Sequence, residues 1–304
     1  KHIRRGAHRH RRPAIMTVIE QDKFHGSIYG ISALPLCVDL DGTLIYSDTL
    51  LEGIAAQLFD MRLMRAILRL PFTGRAAFKQ SIATNAPIDA KLLPYNPLFL
   101  DYLGREKRKG RYLVLATAAN IRIAQAVADH IGLFDEIIAS DETRNLKGRA
   151  KADALRVRFG KRGFVYAGNE AGDIEIWNQS GGAVLVNTNC AVARRVYATN
   201  AVEGMFPGHP AAGWPLLRAM RPHQWVKNLL VFIPIFTAHA VGDATAWIAG
   251  LFAFAAFCAT ASSIYLVNDA TDLGADRAHA RKRLRPYASG ALKVAGERAA
   301  RAIR

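Results

Sequence analysis

Acidic residues are scarce in this chain: 25 Asp and Glu stand against 41 Lys and Arg, a formal net charge of +16. That balance points to anionic partners, whether phosphate esters, acidic lipid or nucleic acid, without choosing among them. Cysteine is scarcer still. Cys37, Cys190 and Cys258 are widely spaced and form no CxxC, which excludes a disulfide scaffold and fits buried thiols in a reducing compartment. Residues 1–12, KHIRRGAHRHRR, lack the apolar core of a secretory signal. Met16 opens MTVIEQDKF, which reads as a natural start, so residues 1–30 are expected to form a basic, solvated, disordered arm. Aromatic stacking platforms and a nucleic-acid recognition motif are also lacking, which argues against nucleic acid as the partner. Apolar residues, at 51% of 304, are plentiful enough for about two domains.

From residue 31 to about 206 the pattern alternates strand and helix. Short runs rich in Val, Ile, Leu and Tyr predict strands over 34–40, 111–117, 136–140, 163–168 and 183–187. Helical segments over 121–132 and 148–160 each end in a glycine suited to the position just past a helix. This predicts an α/β, doubly wound parallel sheet, in which ligands sit at the carboxyl ends of the strands, where Asp39, Thr117 and Asn169 fall. Residues 45–110 interrupt the alternation with helical sequence and read as a cap. Within it MRLMRAILRL (61–70) is amphipathic, and its apolar stripe is expected to pack against the sheet domain rather than a membrane.

Residues 207–215, PGHPAAGWP, read as a linker into a second region, 207–304, of different composition. Ala244–Val267 runs 24 residues without a charge, long enough to cross a hydrocarbon core of about 30 Å. Leu229–Gly242, extended by Gln224–Asn228 with Lys227 snorkelling, is expected to form a preceding span. Trp214, Trp225 and Trp247 lie near the expected interfaces. Arg218, Arg221 and Lys227 precede the pair; Arg277, Arg281, Lys282, Arg283 and Arg285 follow it. The positive-inside rule then predicts a multi-pass protein of the inner (plasma) membrane with its α/β domain in the cytoplasm.

The stretch CVDLDGTLIYSD (37–48) places Asp39 and Asp41 two positions apart at a strand end, pointing to one side. Transfer of a phosphoryl group from a monoester needs an in-line nucleophile and an acid for the leaving oxygen, which this pair can supply. Gly42 adds a tight turn that lets backbone amides approach a phosphate. Two close carboxylates repel without a cation, so Mg²⁺ is implied. DLDGTL (39–44) resembles the first motif, DxDGT, of the haloacid dehalogenase superfamily, over a match spanning roughly 34–190. The resemblance implies that fold, with Asp39 as the nucleophile that becomes an aspartyl phosphate and Asp41 as general acid/base and metal ligand. By the same resemblance Gly42 and Thr43 belong to the substrate-binding loop, and Thr117 supplies a phosphate-binding hydroxyl. Lys147, with Lys151 as its rival one turn on, would steady the nucleophile and phosphate. GNEAGD (168–173) departs from the family's acidic fourth motif: Asn169 stands where an aspartate would bind metal, and Asp173 keeps the last acid.

A second acid cluster, NDATDLGAD (268–276), spaces Asn268, Asp272 and Asp276 at i, i+4 and i+8, with Asp269 beside Asp272. Acids at the end of a spanning helix are functional by default and call for a divalent cation and an anionic substrate. This run resembles the first aspartate-rich motif of the UbiA prenyltransferase family. RPHQWVKNLLVFIP (221–234) and RKRLRPYASG (281–290) resemble its branch that uses decaprenyl phosphate in cell-wall arabinan synthesis. The resemblance implies that Asn268, Asp269, Asp272 and Asp276 hold Mg²⁺ and pyrophosphate, that Arg221 and Lys227 bind substrate phosphate, and that polyprenyl phosphate is a partner. It covers the first third of that family's helical bundle, so the transferase part is expected to be inactive alone. The expected whole is a Mg²⁺-dependent phosphomonoester hydrolase domain, acting on a phosphorylated small molecule or lipid, fused to a truncated UbiA-type transferase. The alternative is a catalytically weak phosphate-binding module that regulates or positions the transferase.

Overall fold

Short, doubly buried strands each require a cover on both faces, and the chain provides it by alternation. The computed structural model describes residues 34–85, 88–141, 144–209 and 214–293. The basic arm expected over 1–30 lies outside the described residues. Six parallel strands form one sheet: β1 (Leu36–Val38), β2 (Leu113–Asn120), β3 (Glu136–Ser140), β4 (Val165–Gly168), β5 (Gly182–Val186) and β6 (Val202–Phe206). Their order is β3-β2-β1-β4-β5-β6, with β1 central. Five strands match the sequence expectation. The sixth, VEGMF, was not foreseen: it is a half-exposed edge strand without an apolar run.

Side-chain alternation sorts the core into two layers. Leu36, Val38, Leu113, Leu115, Val165 and Val184 pack one face. Cys37, Val114, Phe164, Tyr166, Ala183 and Leu185 pack the other, with Ala152, Leu155 and Trp177 from its helices. The covering helices are α4 (Ile121–Ile131), α5 (Arg149–Phe159), α6 (Ile174–Trp177) and α7 (Cys190–Tyr197). Asn120 caps α4 through the Arg122 amide, and Gly132 ends it in the left-handed region, as the sequence predicts.

The insertion expected as one cap over 45–110 divides in two. The first part is α1 (Thr49–Ala56) and α2 (Met61–Asn85), the latter broken at Gly74, whose φ of 77° no helix admits. These helices share a small core of Leu63, Ala66, Phe78 and Ile82, and Gln57 Nε2 ties α1 to the carbonyl of Ile82. Of the amphipathic stretch 61–70, Leu63 and Ala66 therefore pack within the cap hairpin, not against the sheet. The second part, α3 (Pro97–Arg108), is no cap: Phe99 and Leu103, i and i+4 on one helical face, are fully buried in the sheet core. Arg111, buried between Glu106 of α3 and Glu203 of β6 at 3.0 and 2.8 Å, fastens it there.

Beyond the sheet domain the chain forms α8 (Pro215–Met220), a 3-10 segment (Pro222–Phe232), α9 (Ile233–Thr237), α10 (Ala244–Thr271) and α11 (Leu273–Ala278). The α10 helix has 28 residues and a mean hydropathy of 1.8 in its most apolar window, of which 11% is buried. At 1.5 Å per residue it is about 42 Å long, sufficient to cross a bilayer. The second span expected over 224–242 is not a continuous α-helix. Its tight 3-10 winding gives way to five α-helical residues at Pro234, and the chain then turns back toward α10.

Candidate active site

Asp39 follows β1 in the middle of the sheet, beside the point where strand order reverses between β1 and β4. Its backbone N–H donates to Ala167 O at 3.0 Å, and the loop closes with Leu44 N on Asp39 O and Ile45 N on Leu40 O. Gly42, at φ 76°, makes that turn possible, and a Cβ there would lie 2.3 Å from Asn169 Nδ2. Glycine is thus required both by backbone conformation and by the amide packed over it. The Gly42 and Thr43 amides are spent inside the loop, on Ser47 O and Leu40 O. They do not present themselves to a phosphate as expected. The Thr43 side chain is fully buried with its hydroxyl unpartnered. Asp41 Oδ1 accepts the backbone N–H of Thr49 at 2.8 Å, so the start of α1 orients this second carboxylate.

The parity that sends Cys37 to one face sends Asp39 there too, toward α5. Lys151 Nζ reaches Asp39 Oδ1 at 2.8 Å and accepts no competitor from solvent: its side chain is 4% exposed. Of the two candidate cations, Lys151 therefore makes this contact, while Lys147, half-buried just before α5, lines the same cleft. Burial alone would lower the Lys151 pKa, but the charges of Asp39 and Asp173 outweigh it and hold the ammonium above its ordinary range. Tyr166, which the sequence reading missed, links these groups. Its hydroxyl lies 2.9 Å from Lys151 Nζ and 3.1 Å from Asp173 Oδ1.

Asp173 is buried and spends Oδ2 on the backbone N–H groups of Asn169 and Glu170, at 3.0 and 3.1 Å. Through these two contacts it holds the Asn169 loop. Burial, then the Asp39 charge, push its pKa up to about 6 against the opposing pull of Lys151 and the two amides. Thr117 is fully buried inside β2, with Oγ1 accepting the Ala119 N–H at 3.0 Å, and it is Ala118 to Asn120 that face the cleft.

The cleft, about 70 Å³, lies between the strand ends and the cap. Asp39, Asp41, Lys147, Lys151 and Glu170 form its floor, and Leu50, Ile82 and Ala83 of the cap form its roof. Lys79, from the second half of α2, was also missed. It is buried and donates to Ala118 O and Asn145 Oδ1, both at 2.9 Å, bringing a cation from the cap to the cleft wall. Among the described residues no three His, Cys, Asp or Glu side chains are grouped to hold a metal ion. The donors near the first pair are all oxygens, two carboxylates and the Asn169 amide packed on their loop, a set that suits a hard cation such as Mg²⁺.

The second acid cluster is arranged differently. The helix ends at Asp272, so the expected continuous i, i+4, i+8 face is broken between α10 and α11. Asp269 and Asp276 are buried, and Arg285 bridges them at 3.0 and 2.8 Å. Arg221 pairs with Asp269 at 2.6 Å and stacks over Tyr265. Asp272 and Asn268 stand at the helix end, where the Asn268 carbonyl accepts the Asp272 N–H. Asp269 and Asp276 are thus both paired with arginine. Lys227 is exposed on the 3-10 segment and takes no part in those pairs. Arg218, Arg221, Arg281 and Arg285 line an open groove of about 630 Å³.

Residues 36–176 match the family model of haloacid dehalogenase-like hydrolases. The N-terminal part of the chain is accordingly a haloacid dehalogenase-like hydrolase domain. Over 86% of its length the chain is 39% identical to the protein y4nM of Sinorhizobium fredii, and it spans 51% of that relative. The C-terminal part, 27% of the chain, is 46% identical to decaprenyl-phosphate phosphoribosyltransferase of Mycolicibacterium smegmatis, covering 29% of that enzyme. The chain thus spans about half or less of the curated relatives it matches. A solved haloacid dehalogenase family hydrolase of Salmonella enterica serovar Typhi superposes with a TM-score of 0.42 at 13% identity, over 56% of this chain and 67% of its own.

Proposed function

We propose that the sheet domain is a Mg²⁺-dependent phosphomonoester hydrolase. The observation that carries this reading is the buried Lys151–Asp39 pair at the central strand end, with Asp41 beside it and a cap over both. Asp39 attacks phosphorus, and the bond to the ester oxygen breaks as Asp41 gives that oxygen its proton. Asp41 then takes a proton from water, the water oxygen attacks phosphorus, and Asp39 leaves as carboxylate. Lys151 holds Asp39 in place; Lys147 is the cation for the phosphoryl oxygens. Asp39, the Asp41 carbonyl and the Asn169 amide oxygen are the residues to hold Mg²⁺, which when bound spreads the charge of the transferring group. Phosphate release from a generic monoester by the full chain is expected to need Mg²⁺ and to vanish in Asp39→Asn; unchanged turnover in that variant overturns the reading.

The phosphate is expected on a lipid or on a small molecule handled at the membrane. Three features support this: the long apolar helix α10, the arginine-lined groove at its end, and the outer face of the cap. There Met61, Met64, Leu68 and Phe72, at i, i+3, i+7 and i+11, are exposed beside exposed Arg62, Arg65 and Arg69. Such a face suits an anionic interface. On this reading the region from 207 onward is the first part of a polyprenyl-phosphate transferase unit in the inner membrane, with the hydrolase domain on the cytoplasmic side. A second reading has one observation in its favour: Asn169 replaces a carboxylate, so the site can retain phosphate without hydrolysing it. Phosphate binding with no turnover in Mg²⁺ would select that module.

A further inference from the structure

The two acid clusters are joined by an ion pair that neither motif contains. Arg277 of α11 forks onto Glu52 of α1, Nη1 to Oε2 at 2.8 Å and Nη2 to Oε1 at 2.6 Å. The partners are 225 residues apart, and their side chains are only 7% and 5% exposed. The third guanidinium donor, Nε, is taken by Ala288 O at 2.9 Å, so Arg277 is itself fixed from the membrane-side segment. That segment also touches the loop that carries Asp39 and Asp41. Gly290, at φ 79°, approaches so closely that a Cβ there would lie 2.6 Å from Tyr46 Cβ.

The α1 helix is eight residues long and is anchored at its start by the Asp48 cap and by the Thr49 N–H on Asp41 Oδ1. Its first turn carries Glu52. A shift of Glu52 is therefore a shift of the amide that orients Asp41, because an eight-residue helix moves as a body. A bidentate guanidinium–carboxylate pair fixes both distance and plane, which a single contact does not. Replacing one partner leaves a buried charge uncompensated, whereas no net charge is left behind when both go.

We propose that Arg277 is a positioning residue for the hydrolase: through Glu52 it sets α1 and so the aim of the Asp41 carboxylate, making the membrane-side segment a working part of the phosphatase site. This rests on the hydrolase reading above. Lys151 and Lys147, which meet the nucleophile and the phosphate, lie on α5 and the loop before it and are untouched by the clamp. Its loss should consequently act on the chemical step and spare ground-state binding.

The test is steady-state hydrolysis of p-nitrophenyl phosphate with Mg²⁺ by the full chain in detergent micelles. The chains compared are wild type, Asp39→Asn, Arg277→Ala, Arg277→Lys and the neutral pair Glu52→Gln with Arg277→Met. Arg277→Ala and the neutral pair are expected to lose about tenfold or more in kcat, the scale of misplacing a catalytic group by a fraction of an ångström. KM should stay within about twofold, since uniform binding is kept. Arg277→Lys should recover only part of kcat, because an ammonium cannot fork. The neutral pair, which buries no lone charge, keeps the test alive if Arg277→Ala does not fold. A folded neutral pair with kcat within about twofold of wild type overturns the clamp alone. Wild-type turnover no greater than Asp39→Asn overturns the hydrolase reading, and the clamp with it.

Discussion

Replacing Lys151 by Met removes the cation of the buried pair while keeping the length of the side chain. At 2.8 Å from Asp39 Oδ1, a unit-charge attraction amounts to about 6 kcal/mol at an effective dielectric constant near 20. Most of that offsets the cost of burying both ions, so the pair contributes little against an apolar equivalent. Breaking it is another matter: Asp39 then stays buried unpaired, which costs about 3–5 kcal/mol. Asp173 also loses the charge that opposes its upward shift, and Tyr166 loses a partner at 2.9 Å. For a domain of this size the loss should lower the melting temperature by about 10 °C. Circular dichroism of the full chain in detergent at pH 7 reads it. Lys151→Met with Asp39→Asn should recover much of the loss, because no lone ion remains. A single variant that melts within about 2 °C of wild type, roughly 1 kcal/mol, would refute the reasoning.

Gly42→Ala should cost at least about 1–2 kcal/mol from its positive φ alone and more from the clash with Asn169, with turnover falling alongside; wild-type activity in a stable variant would contradict the account of that turn. Tyr166→Phe leaves Asp173 Oδ1 and Lys151 short of one partner each and should destabilise by about 1–3 kcal/mol, measurable as a fall in melting temperature, with no change expected if the hydroxyl is idle. Glu106 is held below its ordinary carboxylate range: burial pushes it up, but Lys109 and Arg111 prevail. A depressed native pKa adds stability that is complete above the unfolded value, about 4.5, and fades as pH falls through the native one. Melting temperature should therefore drop more steeply below about pH 4.5 in wild type than in Glu106→Gln; parallel curves would remove Glu106 from the account.

Local pattern carried much of this fold. The alternation of Leu36, Cys37 and Val38, continued into Asp39, is readable because each residue's face follows from its neighbours. DLDGTL is likewise legible as one contiguous turn. Features set by distant partners were not. The β6 strand pairs with β5 and meets Arg111, 92 residues from Glu203, across the domain, and α3 joins the core through Phe99 and Leu103, which alone read only as helix. Lys147 and Lys151 lie two residues either side of the start of α5; only the helix starting at Arg149 turns Lys151 inward. Tyr166 and Lys79 belong to no local motif; their partners Lys151, Asp173, Ala118 and Asn145 come from other segments. The Glu52–Arg277 pair has no local signature at all. Near Pro234 the apolar average suggested a span, but proline at the junction breaks the winding into two short pieces.

The central claim is that Asp39 carries the phosphoryl group. Full chain given a radiolabelled phosphomonoester with Mg²⁺, quenched in acid and digested, should show label on the peptide containing residues 37–48. That label should map to Asp39, be discharged by hydroxylamine as an acyl phosphate is, and be absent from Asp39→Asn. Mg²⁺-dependent phosphate release with no label on Asp39, or with label on another residue, would contradict the account.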